Sequence, residues 1–167
     1  QMQRFFEFAS DLFVVLDAAT LIVRAANPAL ARTVGAPIEA IVGRCALEFA
    51  LPEDGPALLE DVALLRRTGE LALRDRRLVT VGGDVRWLRF RATLDPQETV
   101  FCIVATDVTA EYGEVAQRAE RARASAALDA AGVGVCDWDL RTGAMTWNAS
   151  TYRLLGLEAD EAPASLH

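Results

Sequence analysis

Lysine is absent from this 167-residue chain, and all 17 basic residues are arginine. A Walker phosphate loop needs its Lys, so that chemistry is excluded, as is any other lysine-dependent mechanism in this segment. Histidine occurs once, at His167, which leaves no Ser–His or Cys–His pair inside a folded domain. The three cysteines, Cys45, Cys102 and Cys136, are too scattered for a disulfide framework or a zinc site. A reducing cytoplasm is the simplest home for them. No apolar run approaches the roughly 20 residues that span a bilayer, and the opening QMQRFFEFAS lacks the charge–apolar–small order of a signal peptide. The chain begins with Gln1 rather than Met, so it is expected to be a piece of a longer protein, with an upstream membrane anchor left open. Positive charge is also scarce: 17 basic against 24 acidic residues give a net charge of −7 and a pI near 4.8. A general nucleic-acid binder is thereby excluded.

Apolar residues are plentiful, at 52% with a mean hydropathy of +0.18, ample for a buried core. A repeat is also present. Residues 25–35 read AANPALARTVG and residues 146–156 read TWNASTYRLLG. Each has an Asn suited to cap a helix and, eight positions on, a Gly suited to end it. Before each helix come two β-rich runs: LFVVLD (12–17) and LIVRA (21–25) in the first copy, VGVCDWDL and AMTWN in the second.

Between the copies the pattern continues. QMQRFFEFASDL reads as an amphipathic N-terminal helix with Phe5, Phe8 and Leu12 at helical spacing. A short helical turn is expected over Pro37–Val42. A longer helix starts at Pro52-Glu53-Asp54, with Leu58, Leu59, Val62 and Leu65 as its buried stripe and Gly69 at its end. Strands follow at 71–81, 85–94 and 99–109, the first two joined by the hairpin signal Gly82-Gly83-Asp84. That Gly-Gly-Asp is followed by Val85-Arg86 and so reads as a turn, not as a diguanylate cyclase motif. The last strand is apolar on both faces, which predicts a cover over its outer side from the N-terminal helix or a second subunit. From 110 to 127, Val108, Tyr112, Val115, Ala119, Ala122 and Ala126 trace a heptad seam. It suits either a parallel dimer or a solvated connector helix.

This order of elements resembles the PAS domain family of signalling sensors. The resemblance rests on Asn27-Pro28-Ala29 with Gly35, on Ile41-Val42-Gly43-Arg44, on Pro52-Glu53-Asp54, and above all on Asp107-Val108-Thr109 at the end of the last strand. It covers residues 12–109, and 132–167 resembles the truncated start of a second such domain. It implies an α+β fold: a five-stranded antiparallel sheet in order 2-1-5-4-3, helices over one face, an N-terminal helix (1–11) and a connector helix (110–131). It also implies a ligand cavity, for which Leu16, Val23, Leu30, Cys45, Leu58, Leu88, Phe90 and Ile103 are the expected lining.

The function implied is a cytoplasmic sensory module that is not itself an enzyme and regulates an effector in the same parent chain. A histidine kinase is the leading expectation, with a cyclic-dinucleotide enzyme as the alternative. The other reading is a ligand-free dimerisation and docking module for a protein partner. A wall of large aliphatic side chains would favour docking, and polar groups converging on an empty cavity would favour sensing. A homodimer is expected under both, through Phe5, Phe8, Tyr112, Val115 and Ala119. No bound cofactor is expected. A light-oxygen-voltage photosensor needs Gly-x-Asn-Cys-Arg-Phe, whereas here Cys45 follows Gly43 by two positions without the Asn or the Arg-Phe. Cys45 is therefore read as a small packing residue. Haem is disfavoured because residues 52–69 hold no His, while non-covalent flavin stays open through Trp87 or Phe90. Eight arginines between 66 and 91 face only Glu70, Asp75 and Asp84 within that stretch. They suit an anionic ligand, or pairing with the acidic helices. Asp107 and Thr109 are the expected signal relay, since a carboxylate and a hydroxyl can hold backbone groups freed where strand becomes helix. The same pair also fits a plain helix cap.

Overall fold

The computed structural model describes Glu7 and residues 9–158. Phe5 and Phe8, with most of the expected N-terminal helix, lie outside the described residues, as does His167; at its expected end, residues 9–11 are not helical and Leu12 opens a strand. The chain divides into two compact units, Gln1–Tyr112 and Gly113–His167.

In the first unit, β1 (Leu12–Asp17) turns into β2 (Val23–Ala26). Asp17 sets the turn, its Oδ1 accepting from the backbone N–H groups of Ala19 and Thr20 at 3.0 and 2.9 Å. β2 starts two residues later than the apolar run predicts. Leu21 sits at φ 62°, a left-handed conformation that no strand accommodates, and Ile22 forms only a lone bridge to Cys45. Helix α1 (Pro28–Val34) follows, then α2 (Ile38–Ile41), two 3-10 turns (Ala46–Phe49 and Pro52–Asp54) and α3 (Gly55–Thr68). Strands β3 (Glu70–Val79), β4 (Val85–Asp95) and β5 (Val100–Asp107) complete an antiparallel sheet in the order β2-β1-β5-β4-β3. That is the order implied by the family resemblance.

The core lies between the helices and one sheet face. Alternation along the strands sends Leu16, Leu88, Ala92, Phe101 and Ala105 inward, all buried, against Val34 and Ile41 from the helices. The outer face is less covered: Cys102 is exposed and Val104 half-buried. The stripe expected on α3 needs correction. Leu59 is 52% exposed, whereas Asp61 is buried on the inner side. The helical turn that brings Leu58 and Leu65 inward also carries position 61 there, and two β3 arginines make a buried carboxylate tolerable.

Helix α4 (Thr109–Ala130) leaves the sheet. In the second unit a two-stranded sheet, β6 (Cys136–Trp138) and β7 (Met145–Trp147), precedes α5 (Ala149–Leu155). Its strands are shorter than the apolar runs suggest.

The two copies share their hydrogen bonds as well as their pattern. Asn27 accepts from the N–H of Phe13 and Leu30 and donates to the carbonyl of Asp11. Asn148 accepts from the N–H of Val135 and Thr151 and donates to the carbonyl of Val133. Each Asn thus ties a helix start to the strand before it, and Gly35 and Gly156 close the two helices at φ 78° and 68°. Asp139 repeats the role of Asp17, accepting from Arg141 and Thr142, with Gly143 where the first copy has the left-handed Leu21. Among the described residues no helix is long and apolar enough to cross a membrane.

Candidate functional site

An unfilled space of about 150 Å³ lies between the inner sheet face and the helices. Seven of the eight residues expected around it contribute: Leu16, Val23, Leu30, Leu58, Leu88, Phe90 and Ile103. Cys45 does not. Its N–H is held by the Glu48 carboxylate at 3.1 Å and its backbone bridges Ile22, so the thiol packs at the edge of the core.

The wall is otherwise aliphatic except for Phe49, Arg76 and Arg77. Protein interiors leave few voids of this size. A dry apolar cavity of about 150 Å³ accepts a guest the size of benzene. The three fused rings of a flavin exceed it. Of the two aromatics expected to flank such a ring, Phe90 faces the cavity, while Trp87 belongs to the opposite sheet face.

The arginine-rich strands resolve into specific pairs. Arg77 reaches Asp54 with both branches of its fork, Nε to Oδ2 at 2.8 Å and Nη2 to Oδ1 at 2.7 Å. Arg76 Nη2 lies 2.9 Å from Asp61 Oδ2, and Arg74 Nε lies 3.6 Å from Asp61 Oδ1. Arg89 holds Asp75, its cross-strand partner, through two contacts of 3.0 Å. Pairing with acids of the helices and of the sheet itself thus accounts for much of the local excess of positive charge.

At the exit of β5, Asp107 Oδ1 accepts from the Thr109 backbone N–H at 2.9 Å and from its hydroxyl at 2.5 Å. The same Thr109 oxygen accepts from the Trp87 N–H at 2.9 Å, and Val108 N–H donates to the Trp87 carbonyl at 2.8 Å. Asp107 and Thr109 therefore do more than cap a helix, because they pin its first residue to β4.

A second set of contacts continues this attachment. The Tyr112 ring stacks on Trp87 at 4.0 Å and an interplanar angle of 4°, and its hydroxyl donates to Asp75 Oδ2 at 2.9 Å. Glu111 meets Arg89 at 3.2 Å. Arg77, already bound to the turn before α3, lies with its guanidinium carbon 5.8 Å from the Trp87 ring centre. Tyr112, expected at a dimer seam, is thus engaged by its own sheet, as is buried Val108, while Val115 (63% exposed) and Ala119 face solvent. Sequence reasoning missed Asp75, Trp87 and Arg89 as anchors of α4. The available signal was their alternation on β3 and β4, opposite Leu88 and Phe90.

The clamp also perturbs its acids. Hydrogen bonding to Arg89, together with the bond from the Tyr112 hydroxyl, holds the Asp75 carboxyl below the usual carboxylate range despite partial desolvation. The Asp75 carboxylate in turn raises the Tyr112 phenol. Arg77 likewise depresses Asp54.

Comparison with known proteins gives a family profile described as PAS fold, matching residues 6–113. A PAS domain structure from Colwellia psychrerythraea is similar at 16% identity and a TM-score of 0.59, over 65% of this chain and 95% of that one. A domain of a sensory box sensor histidine kinase/response regulator from Geobacter sulfurreducens is similar at 21% identity and a TM-score of 0.56, over 64% and 90%. The PAS domain of the Cronobacter turicensis quorum-sensing receptor RpfR, solved in complex with C12:0, is similar at 22% identity and a TM-score of 0.53, over 60% and 96%. The search of curated proteins gave no match.

Proposed function

The chain belongs to the PAS fold family, and from that premise we propose that residues 12–109 form a sensory module whose cavity state is relayed through α4 to an effector in the same parent chain. One observation carries this reading. β4 lines the cavity with Leu88 and Phe90 and anchors α4 with Trp87 and Arg89, on alternate residues of one strand. A guest that moves β4 would move both ends of that contact. The effector of this reading is a histidine kinase. The resemblance to a domain of a sensor histidine kinase/response regulator accords with that choice.

The ligand class is a small, mainly apolar molecule, in keeping with a cavity of about 150 Å³. A homodimer completes the proposal, with a seam that starts at exposed Val115 and continues through Ala119 after Tyr112 has been taken up by the sheet.

The aliphatic wall favours a second reading, a ligand-free module for dimerisation and docking. The test is the absorption spectrum of gently purified protein with mass spectrometry of what denaturation releases, followed by thermal unfolding with benzene-sized apolar compounds. A stoichiometric small molecule, or stabilisation that is lost when Ala105→Leu fills the cavity, supports sensing. A clean spectrum, nothing released and no stabilisation would leave the docking reading in its place.

A further inference from the structure

A second concavity lies outside the apolar cavity, where α1 meets the start of β4 and the end of β5. It measures about 240 Å³, and Ser10, Ala29, Arg32, Thr33, Arg86 and Asp107 line it. Its walls are held in place: Asn27 ties the start of α1 to β1, and the Val34 carbonyl at the other end accepts from the Val81 N–H at 2.9 Å. Among the described residues Arg32 makes no hydrogen bond or ion pair, and the Ser10 and Thr33 hydroxyls make no hydrogen bond. Arg86 meets one carboxylate, Asp107, whose Oδ2 lies 3.8 Å from its Nη1, beyond hydrogen-bond reach. The two side chains are 43% and 30% exposed, and an ion pair this long and this hydrated contributes little. The Arg86 Nε is enclosed without an acceptor, so only its terminal nitrogens can face a ligand. Asp107 is the single acid among the described lining residues, against two guanidinium groups, and its Oδ1 is already taken by Thr109. Asp11, the next residue after Ser10, does not line the cleft and accepts from the Thr106 hydroxyl at 3.2 Å.

We propose that this cleft binds a phosphate group, as the free ion or as a small phosphate monoester. Two guanidinium groups and two hydroxyls offer more donors than the two oxygens of a carboxylate use. A phosphate brings three acceptor oxygens and a charge of about −1.5 to −2 at neutral pH, and arginine matches its geometry. Bound there, it pairs Arg32 and gives the Arg86 terminal nitrogens a closer partner than Asp107. Its charge also repels the Asp107 carboxylate, which holds the first residue of α4 through Thr109. The site is therefore a second input to the β5–α4 junction, independent of what occupies the apolar cavity.

The experiment is calorimetric titration of the full chain with inorganic phosphate, methyl phosphate and acetate, in a chloride background of constant ionic strength. Both phosphates should bind more tightly than acetate, and the tighter of the two tells the free ion from a monoester as the natural source. Arg32→Gln breaks no contact of the unliganded chain, so it should keep the unfolding midpoint while weakening phosphate binding by about 10-fold. Arg86→Gln should weaken it by a similar factor. Saturating phosphate should also change hydrogen exchange at the Thr109 amide. No phosphate binding above the chloride background, acetate binding as tight as phosphate, or binding that survives both substitutions overturns the assignment. Binding that leaves the Thr109 amide unaltered overturns the second input to α4.

Discussion

Asn27 shows how much a single side chain can fix. It is fully buried, and its three hydrogen bonds satisfy two backbone donors and one acceptor where β1, the turn and α1 meet. Asn27→Ala would strand all three groups at about 1–3 kcal/mol each before relaxation. A loss of about 3–4 kcal/mol is expected in urea unfolding, by a shift in midpoint with little change in slope. Asn27→Asp keeps both acceptor contacts but sets a buried carboxylate oxygen against the Asp11 carbonyl, so it should destabilise as well, and more so as the pH rises and the carboxyl ionises. The Asn-to-Gly spacing made this residue legible as a cap. Its bonds to Phe13 and Asp11 were not legible, because they join residues that come together only once β1 is in place. Asp61 has the same history. Local periodicity assigned the stripe to leucines, and only the approach of Arg74 and Arg76 from β3 explains a carboxylate in it. The family resemblance put Cys45 on the cavity wall, but its backbone bridge to Ile22 holds it at the edge of the core.

At the scale of elements, the decisive junction is between β4 and the first turn of α4. The order of strands and helices could be read from turn residues and alternation, and the sheet order from the family resemblance. The Trp87–Tyr112 stack could not be read, since neither ring has a local reason to choose the other. The sign of its pH dependence follows from the two shifted groups. Asp75 is depressed in the folded state, so its contribution is full above the unfolded carboxylate value of about 3.9 and is lost as pH falls through the lower folded value. Tyr112 is raised, so its contribution is full below the unfolded phenol value of about 10 and is lost as pH rises through the higher folded value. The clamp therefore holds across the neutral range and opens at both extremes. In a Tyr152→Phe background, the tyrosinate absorbance of Tyr112 should titrate above about 10, and Asp75→Asn should bring the midpoint back down. A midpoint indifferent to Asp75→Asn would show that the hydroxyl contact is not made in solution.

On the scale of the whole molecule, the cavity and the exposed seam make separate claims. Ala105→Leu adds side-chain volume beside the void. It should stabilise the unliganded domain by about 0.5–2 kcal/mol while abolishing stabilisation by small apolar guests, both read by thermal unfolding. Destabilisation instead would mean that the space cannot take a branched side chain without strain. Val115→Asp addresses the dimer. Sedimentation equilibrium should report a wild-type dimer and a mostly monomeric variant with the same unfolding midpoint for its folded domain. A wild-type monomer at every concentration removes the seam from the proposal.

The central claim is that the cavity and α4 are coupled through β4, and amide hydrogen exchange tests it most directly. The reporter amides are Trp87, Val108 and Thr109, whose N–H groups make the junction bonds. With the full chain saturated with benzene, protection at these three amides and in the first turn of α4 should change along with that of the cavity-lining strands. Changes confined to the cavity lining, with the junction unaltered, would contradict the account.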